Sequence, residues 1–239
     1  MLLETTGPFD FALTSEVLSR LPRHCAWERS HGPADLGGPY HQRALVTASG
    51  PRVVTARPDP EGRGVRLDDD SPEALLWARQ SFGLGEDIAA FQRAAAADQH
   101  LRDAEQALRG LRVPLVDPWE AWVAGIVSQQ VTLAFAFQSV NSLCRLLAGS
   151  VEASLPDGTV ESLPLFVTPE AVLEADPEVL KEHCKLSRSK TSYLKVAARA
   201  TLDGSLEGVH EMPLEGAVKR LTQLRGVGDW TARYWLLTT

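Results

Sequence analysis

Residues Leu224 to Thr239 read LRGVGDWTARYWLLTT, and nothing else in the chain restricts the fold as tightly as the Gly226-Val227-Gly228 near their start. Before it, Leu214, Val218, Leu221 and Leu224 recur at helical spacing; after it, Ala232, Trp235 and Leu236 resume the pattern. The spacing predicts two helices joined by a three-residue turn. Two glycines permit positive φ and a close backbone approach, and the amides that open the second helix have no acceptor within it, so they point outward as an anion site. A structural turn between helices needs one glycine at most, so the second directs the reading toward a phosphate.

Charge bears on that reading through its distribution. The chain of 239 residues carries a net charge of −7, which by itself disfavours a polyanionic partner. Residues 181–239, however, hold ten Lys and Arg against six Asp and Glu, so the third of the chain that carries the glycine turn is basic. For any single basic residue in KEHCKLSRSKTSYLKVAARA, a solvated helix face is the ordinary role. A hydrophobic content of 44% is enough for a sizeable core in one or two domains. No apolar run approaches the roughly 18 residues of a membrane span, and MLLETTGPFDF lacks the basic start and small-residue cleavage site of a secretory signal. A cytoplasmic protein without membrane contact is therefore expected. Cys25, Cys144 and Cys184 are odd in number and far apart, which fits inert thiols rather than a disulfide framework or a zinc site.

The chain changes character along its length. Between Tyr40 and Asp70, the runs RALVTASG, PRVVTARP and GVRLDDD predict a small antiparallel meander. Helices are predicted near 72–82, 86–96 and 99–109, the first with Ser71 as cap and Pro72 in its opening turn. Gly110-Leu111-Arg112-Val113-Pro114 marks a boundary, giving a mixed α/β domain over 1–110 and an all-helical one over 111–239. The second opens on Asp117-Pro118-Trp119-Glu120, a cap, a first-turn proline and a capping-box acid. Trp119, Val123, Ile126 and Val127 face a core from that helix, and Ser128-Gln129-Gln130 interrupts the apolar pattern before Val131 to Leu147 resumes it. Two adjacent amides there are either solvated or aimed at a hydrogen-bonding partner. Thr168-Pro169-Glu170 and Asp176-Pro177-Glu178 start two further helices, and Ser189 to Thr201 forms another.

The spacing LxxLxGVGxxxA, together with VDPWEAWVAGIVSQQVTLAFA (116–136), FVTPEAVLEADPEVLK, LSRSKTSYLKVAARA and the GPRVVTARPD strand pair, resembles the helix-hairpin-helix DNA glycosylases, in particular the 3-methyladenine DNA glycosylase II type. The resemblance covers most of the chain. It implies an α+β fold, with a small antiparallel-sheet N-terminal domain of TATA-binding-protein-like appearance packed on an all-α helix-hairpin-helix glycosylase domain. It implies double-stranded DNA with alkylated or damaged bases as partner, base-excision repair as the process, and a monomer. Arg225, Gly226, Val227, Gly228 and Thr231 match the hairpin that holds DNA phosphate. Gln129 and Gln130 match the position from which the family inserts a side chain into the gap left by a flipped nucleotide; residue 130 is leucine in some members. Trp230 and Tyr234 match aromatic residues of the base pocket, where stacking and cation-π attraction would hold an electron-poor alkylated purine. No resident cofactor or metal is implied beyond a monovalent cation at the hairpin when DNA is bound.

Relatives that cleave the backbone carry a Schiff-base lysine two residues after the second hairpin glycine. This chain has Trp230 there, which implies a monofunctional glycosylase using water as nucleophile. The family's catalytic aspartate, which stabilises a cationic sugar, sits in the loop after the second hairpin helix. A helix of average length, about 11 residues, consumes everything after Gly228, and no acid follows Asp229, which reads as a helix cap. No residue is therefore assigned as catalytic, and the expectation is a chain shortened at its carboxy end, with that aspartate beyond Thr239. A non-catalytic protein that binds damaged DNA is the alternative, and a protein-interaction hairpin is a third.

Overall fold

The computed structural model describes residues 1–20, 26–31, 38–154 and 159–239. They form two compact units: Met1–Arg23, Glu28–Leu115 and Val151–Leu163 make up the first, and His24–Trp27, Val116–Ser150 and Pro164–Thr239 the second.

In the first unit the meander is built as β3 (Tyr40–Thr47), β4 (Gly50–Pro58) and β5 (Gly64–Leu67), all antiparallel. The sheet is wider than the sequence reading. β1 (Leu2–Glu4) pairs with β5 at one edge and β2 (Glu28–His31) with β3 at the other, in the order β1-β5-β4-β3-β2. These two edge strands are three and four residues long, too short to show an alternation of their own. In β3, the side chains of His41 and Arg43 lie on the same face by the period of two, opposite Ala56 and Val54 of β4. That face packs on α1 (Phe11–Arg20) and α2 (Pro72–Ser81), whose Phe11, Leu18, Ala74, Trp77 and Ala78 form one apolar cluster with Val54, Ala56, Val65 and Leu67. His41 is fully buried, stacked on Trp77 with ring centroids 5.8 Å apart, and its Nε2 lies 3.5 Å from Glu28 Oε2. Arg43 reaches the same carboxylate, and these two neighbours hold the Glu28 carboxyl below its usual pKa against the opposing effect of burial.

α3 (Ala89–Ala97) and α4 (Gln99–Ala107) follow α2, with Asp98 capping the second by accepting from the His100 and Leu101 amides. The chain then returns through Arg112, whose buried guanidinium donates to the carbonyls of Glu86, Thr6 and Pro8 and to the Thr5 hydroxyl. This cation thus fastens the first residues of the chain to the segment that leaves the unit; burial pushes its pKa down.

The second unit is organised around α5 (Pro118–Val127), which has eight of its ten residues buried. Asp117 accepts from the Trp119 and Glu120 amides, and Pro118 occupies the first turn, where its missing N–H costs nothing. α6 (Leu133–Leu147), α7 (Pro169–Glu174), α8 (Pro177–Cys184), α9 (Arg188–Leu202), α10 (Leu214–Leu221) and α11 (Asp229–Thr238) complete the helices, with a short 3-10 turn at Val209–Glu211. Thr132, Thr168, Asp176 and Ser187 each cap the helix that follows them. Indole nitrogens hold the ends of this packing together: Trp119 donates to the Val167 carbonyl at 2.7 Å and Trp235 to the Pro118 carbonyl at 2.8 Å. Trp122, Trp235 and His210 stack in sequence, with centroids 5.1 and 4.8 Å apart.

The region after residue 110 is not helical throughout. β6 (Ser150–Ser154) and β7 (Val160–Pro164) pair as a two-stranded sheet, and Val151–Leu163 belongs to the first unit. Their five-residue lengths leave two alternations at most, and the available sign was the Pro156-Asp157-Gly158 turn sequence between them. Arg29 of β2 donates to Glu161 of β7 at 2.5 Å. Cys144 and Cys184 are buried; Cys25 lies outside the described residues. Among the described residues no helix is long and apolar enough to cross a membrane.

The sheet carries one acid whose ionisation is coupled to folding. Asp69 accepts from the Ser71 amide and from Arg52, and these bonds hold its carboxyl near pH 2, below the ordinary 3.8. A depressed native pKa contributes stability above the unfolded value and loses it as pH falls through the native one. The charge-dependent stability gap between the wild type and Asp69→Asn should hold constant above about pH 5, shrink below it and vanish near pH 2. Urea titrations of both proteins across that range check this; a gap that survives to pH 2 contradicts it.

Candidate functional site

The glycine turn lies between α10 and α11, and its two glycines do different work. Gly226 has φ +92°, and a Cβ there would sit 2.1 Å from Cγ of Tyr193, so both the backbone conformation and the ring above it demand glycine. Gly228 has φ −92° and ψ 177°, with nothing within 4 Å of where a Cβ would stand. Of the two, only Gly226 has a positive φ. Gly226 makes the turn, and Gly228 leaves an open face at the start of α11.

That start is uncapped by any side chain. Asp229 does not cap, contrary to the sequence reading. Gly228 is the capping residue, and the Asp229 carboxylate accepts from Arg233 Nε one turn on, at 3.0 Å. Arg233 also bonds Glu215, and the two carboxylates raise its pKa. The first amides of α11 are therefore exposed donors at the positive end of a helix dipole. Val227 and Thr231 are both buried, so these two hairpin residues can offer a ligand only their backbone. Arg225 is exposed.

Gln129 and Gln130 follow the end of α5, and the structure brings them to the hairpin. The Gln129 side-chain amide donates to the Gly226 carbonyl at 2.8 Å and to the Thr231 hydroxyl at 3.1 Å, so this residue braces the turn. Gln130 is exposed, with φ +56°, a conformation that presents its side chain from a tight corner. Gln129, Gln130, Tyr193, Gly226, Val227, Gly228, Trp230 and Thr231 line one open depression of about 480 Å³. Trp230 is 58% exposed and lies parallel to the half-buried Tyr234, with centroids 5.4 Å apart and planes at 15°. Tyr234 in turn packs on α5 at Gly125, where a Cβ would come within 3.1 Å of its ring. The exposed indole of Trp230 has no such packing role beyond its stacking on Tyr234, so its outer face is available to a ligand.

Sequence reasoning missed Tyr193 and Lys190 of α9. Lys190 Nζ donates to the Val127 carbonyl at 2.6 Å, tying α9 to the last residue of α5, and burial lowers its pKa. Most of the basic charge that the sequence places near the turn is likewise spent internally. Lys195 closes α7 through the Leu173 and Ala175 carbonyls, Arg188 pairs with Glu178, and Arg220 donates to the Ser205 carbonyl. Among the described residues of this region, Arg199, Lys219 and Arg225 are the cations left without a partner, and Arg225 adjoins Gly226.

Residues 123–233 match the family described as HhH-GPD superfamily base excision DNA repair protein. This stretch, which is similar to an HhH-GPD domain, holds the glutamine loop, α9 and the hairpin. A DNA-3-methyladenine glycosylase of Bacillus subtilis (strain 168) is 29% identical over 184 residues, 72% of this chain and 59% of that protein. DNA-3-methyladenine glycosylase 2 of Escherichia coli (strain K12) is 31% identical over 129 residues, 54% of this chain and 43% of that protein. The chain thus spans about half the length of these curated relatives. A solved 3-methyladenine DNA-glycosylase from Archaeoglobus fulgidus has the same fold, with a TM-score of 0.77 at 24% identity over 100% of this chain and 79% of that one.

The brace makes a direct prediction. Gln129→Ala leaves the Gly226 carbonyl and the Thr231 hydroxyl without their donor and should lower stability by roughly 1–2 kcal/mol. Thermal unfolding measures it, and an unchanged melting temperature would show the contact to be idle.

Proposed function

We propose that this chain is the recognition machinery of a monofunctional DNA glycosylase that flips alkylated purines out of duplex DNA, 3-methyladenine being the type substrate. The observation that carries the reading is the uncapped start of α11 at Gly228, set beside an unpartnered Arg225 and the exposed Gln130. Exposed amides at a helix start donate to phosphate oxygens, Arg225 adds a cation, and the absent Cβ at Gly228 lets the sugar-phosphate chain come close. Gln130 enters the space vacated by the flipped nucleotide while Gln129 stays on the hairpin as its brace. Trp230, backed by Tyr234, offers an aromatic face to the extruded base, and the positive charge of an alkylated purine strengthens that contact.

The names of the relatives support the alkylated-purine assignment, and Trp230 in place of a Schiff-base lysine supports hydrolysis without strand cleavage. Hydrolysis of the glycosidic bond needs a carboxylate at the cationic sugar. Asp229 is the acid nearest the hairpin in sequence, and its pairing with Arg233 commits it elsewhere. Residues 1–239 are therefore expected to bind and flip without releasing base, the behaviour of a damaged-DNA-binding protein. We place its action on chromosomal DNA in the cytoplasm, as a monomer, with a monovalent cation at the hairpin as the one candidate accessory.

Two measurements test this. Gly228→Leu, at a position with room for the side chain and an ordinary φ, should abolish duplex binding while leaving the melting temperature unchanged; binding that persists refutes the hairpin assignment. Arg225→Gln should weaken binding equally on all sequences and reduce the salt slope by about one. Single-turnover assays on duplexes with alkylated purines then read chemistry apart from binding, and free base released by residues 1–239 would assign a carboxylate within them.

A further inference from the structure

The residues that would hold DNA come from two separate places in the sequence, the loop at 128–130 and the turn at 225–228. α9 touches both. Lys190 and Tyr193 stand three residues apart, hence on one face of that helix. Lys190 fastens the end of α5, two residues before Gln129, through the Val127 carbonyl at 2.6 Å. Tyr193 lies against Gly226 so closely that Cγ, Cδ1 and Cδ2 of its ring would fall 2.1, 2.3 and 2.5 Å from a Cβ at that position. The plane of the ring is thus seated on the turn backbone itself, and Tyr193 lines the same depression as Gln130, Gly228 and Trp230.

We propose that α9 sets the spacing between the glutamine loop and the glycine hairpin, with Tyr193 as its positioning residue. The inference rests on the DNA-binding reading given above. A Gln130 side chain and a set of phosphate-binding amides act on one nucleotide step only if their separation is fixed before DNA arrives, since a misplacement of about 1 Å is enough to spoil such a constellation. The ring supplies that fixation as a flat stop against which Gly226 rests. Lys190 supplies it at the other end, where a partly desolvated ammonium group holds a helix terminus. Tyr193 touches no reacting atom in this scheme; it acts through the hairpin.

A double-mutant cycle tests the contact. Gly226→Ala drives a methyl group into the ring and should abolish binding to a duplex containing an abasic-site analogue. Adding Tyr193→Ala removes the obstacle and should recover part of that loss, about tenfold in affinity, leaving the cost of the positive φ. Tyr193→Ala alone should weaken binding by a similar factor and, at saturating protein, diminish the fluorescence rise of a 2-aminopurine placed beside the abasic site. A change at saturation reports wedge placement, which a simple loss of folded protein would not move. Tyr193→Phe should match the wild type in both readouts, because the ring and not the hydroxyl sits on Gly226. Tyr193→Leu is run beside the alanine variant, so that loss of fold in the latter does not end the test.

Wild-type fluorescence and affinity in both Tyr193→Ala and Tyr193→Leu would overturn the proposal, as would a double variant no better than Gly226→Ala. Failure of the underlying reading looks different: the wild type itself would show no salt-dependent binding. In that event the melting temperatures of the four proteins still decide the contact, additive losses counting against it.

Discussion

Burial of α5 on nearly every side is the constraint from which the helical unit follows. A ten-residue helix with eight buried positions exposes no face for solvent, so each neighbour must meet it closely and the polar groups at its ends must be satisfied by other elements. Asp117 serves the amino end, the Trp235 indole takes the Pro118 carbonyl, and Lys190 takes the Val127 carbonyl at the carboxy end. At Gly125 the absence of a Cβ lets α11 approach until Tyr234 and Thr231 are in contact. The positions of α9 and α11 around this helix, and with them the positions of the hairpin and the glutamine loop, are consequences of how α5 is enclosed.

This explains why the candidate site can be assembled from short and distant segments. The loop after α5 leaves a fully packed helix, and the turn before α11 begins another that is packed on the first. Their meeting is fixed by side chains that look inward: Val227 in the core, Thr231 beneath the Gln129 amide, Tyr193 over Gly226. What faces outward is backbone, Arg225, Gln130, the Trp230 indole and the Asp229 carboxylate that Arg233 holds. A surface of that kind has little shape of its own to read a particular sequence and suits a backbone ligand, with selectivity left to whatever is presented to the aromatic face.

Much of this architecture is legible in the sequence because it is announced locally. Ser71-Pro72, Asp117-Pro118, Thr168-Pro169 and Asp176-Pro177 each put a cap and a first-turn proline in adjacent positions, and all four start helices there. The glycine turn is legible for the same reason. What was hidden depends on contacts between distant residues. The edge strands β1 and β2 and the β6–β7 pair are too short for periodicity and exist because a partner strand is present. The division of labour between Gly226 and Gly228, and between Gln129 and Gln130, is set by Tyr193 and Thr231, which no spacing rule connects to them. The basic excess after residue 181 was visible, but its meaning was not: side chains such as Lys190 and Lys195 neutralise helix ends rather than phosphates.

The burial of the two described cysteines has a consequence for their reactivity. Cys144 and Cys184 are both buried, and burial pushes the Cys184 thiol up to about 11. Alkylating agents react with thiolate rather than thiol, and at neutral pH only about one molecule in ten thousand would carry the thiolate at such a group. The compounds that create damaged purines would then find almost nothing to attack at this sulfur.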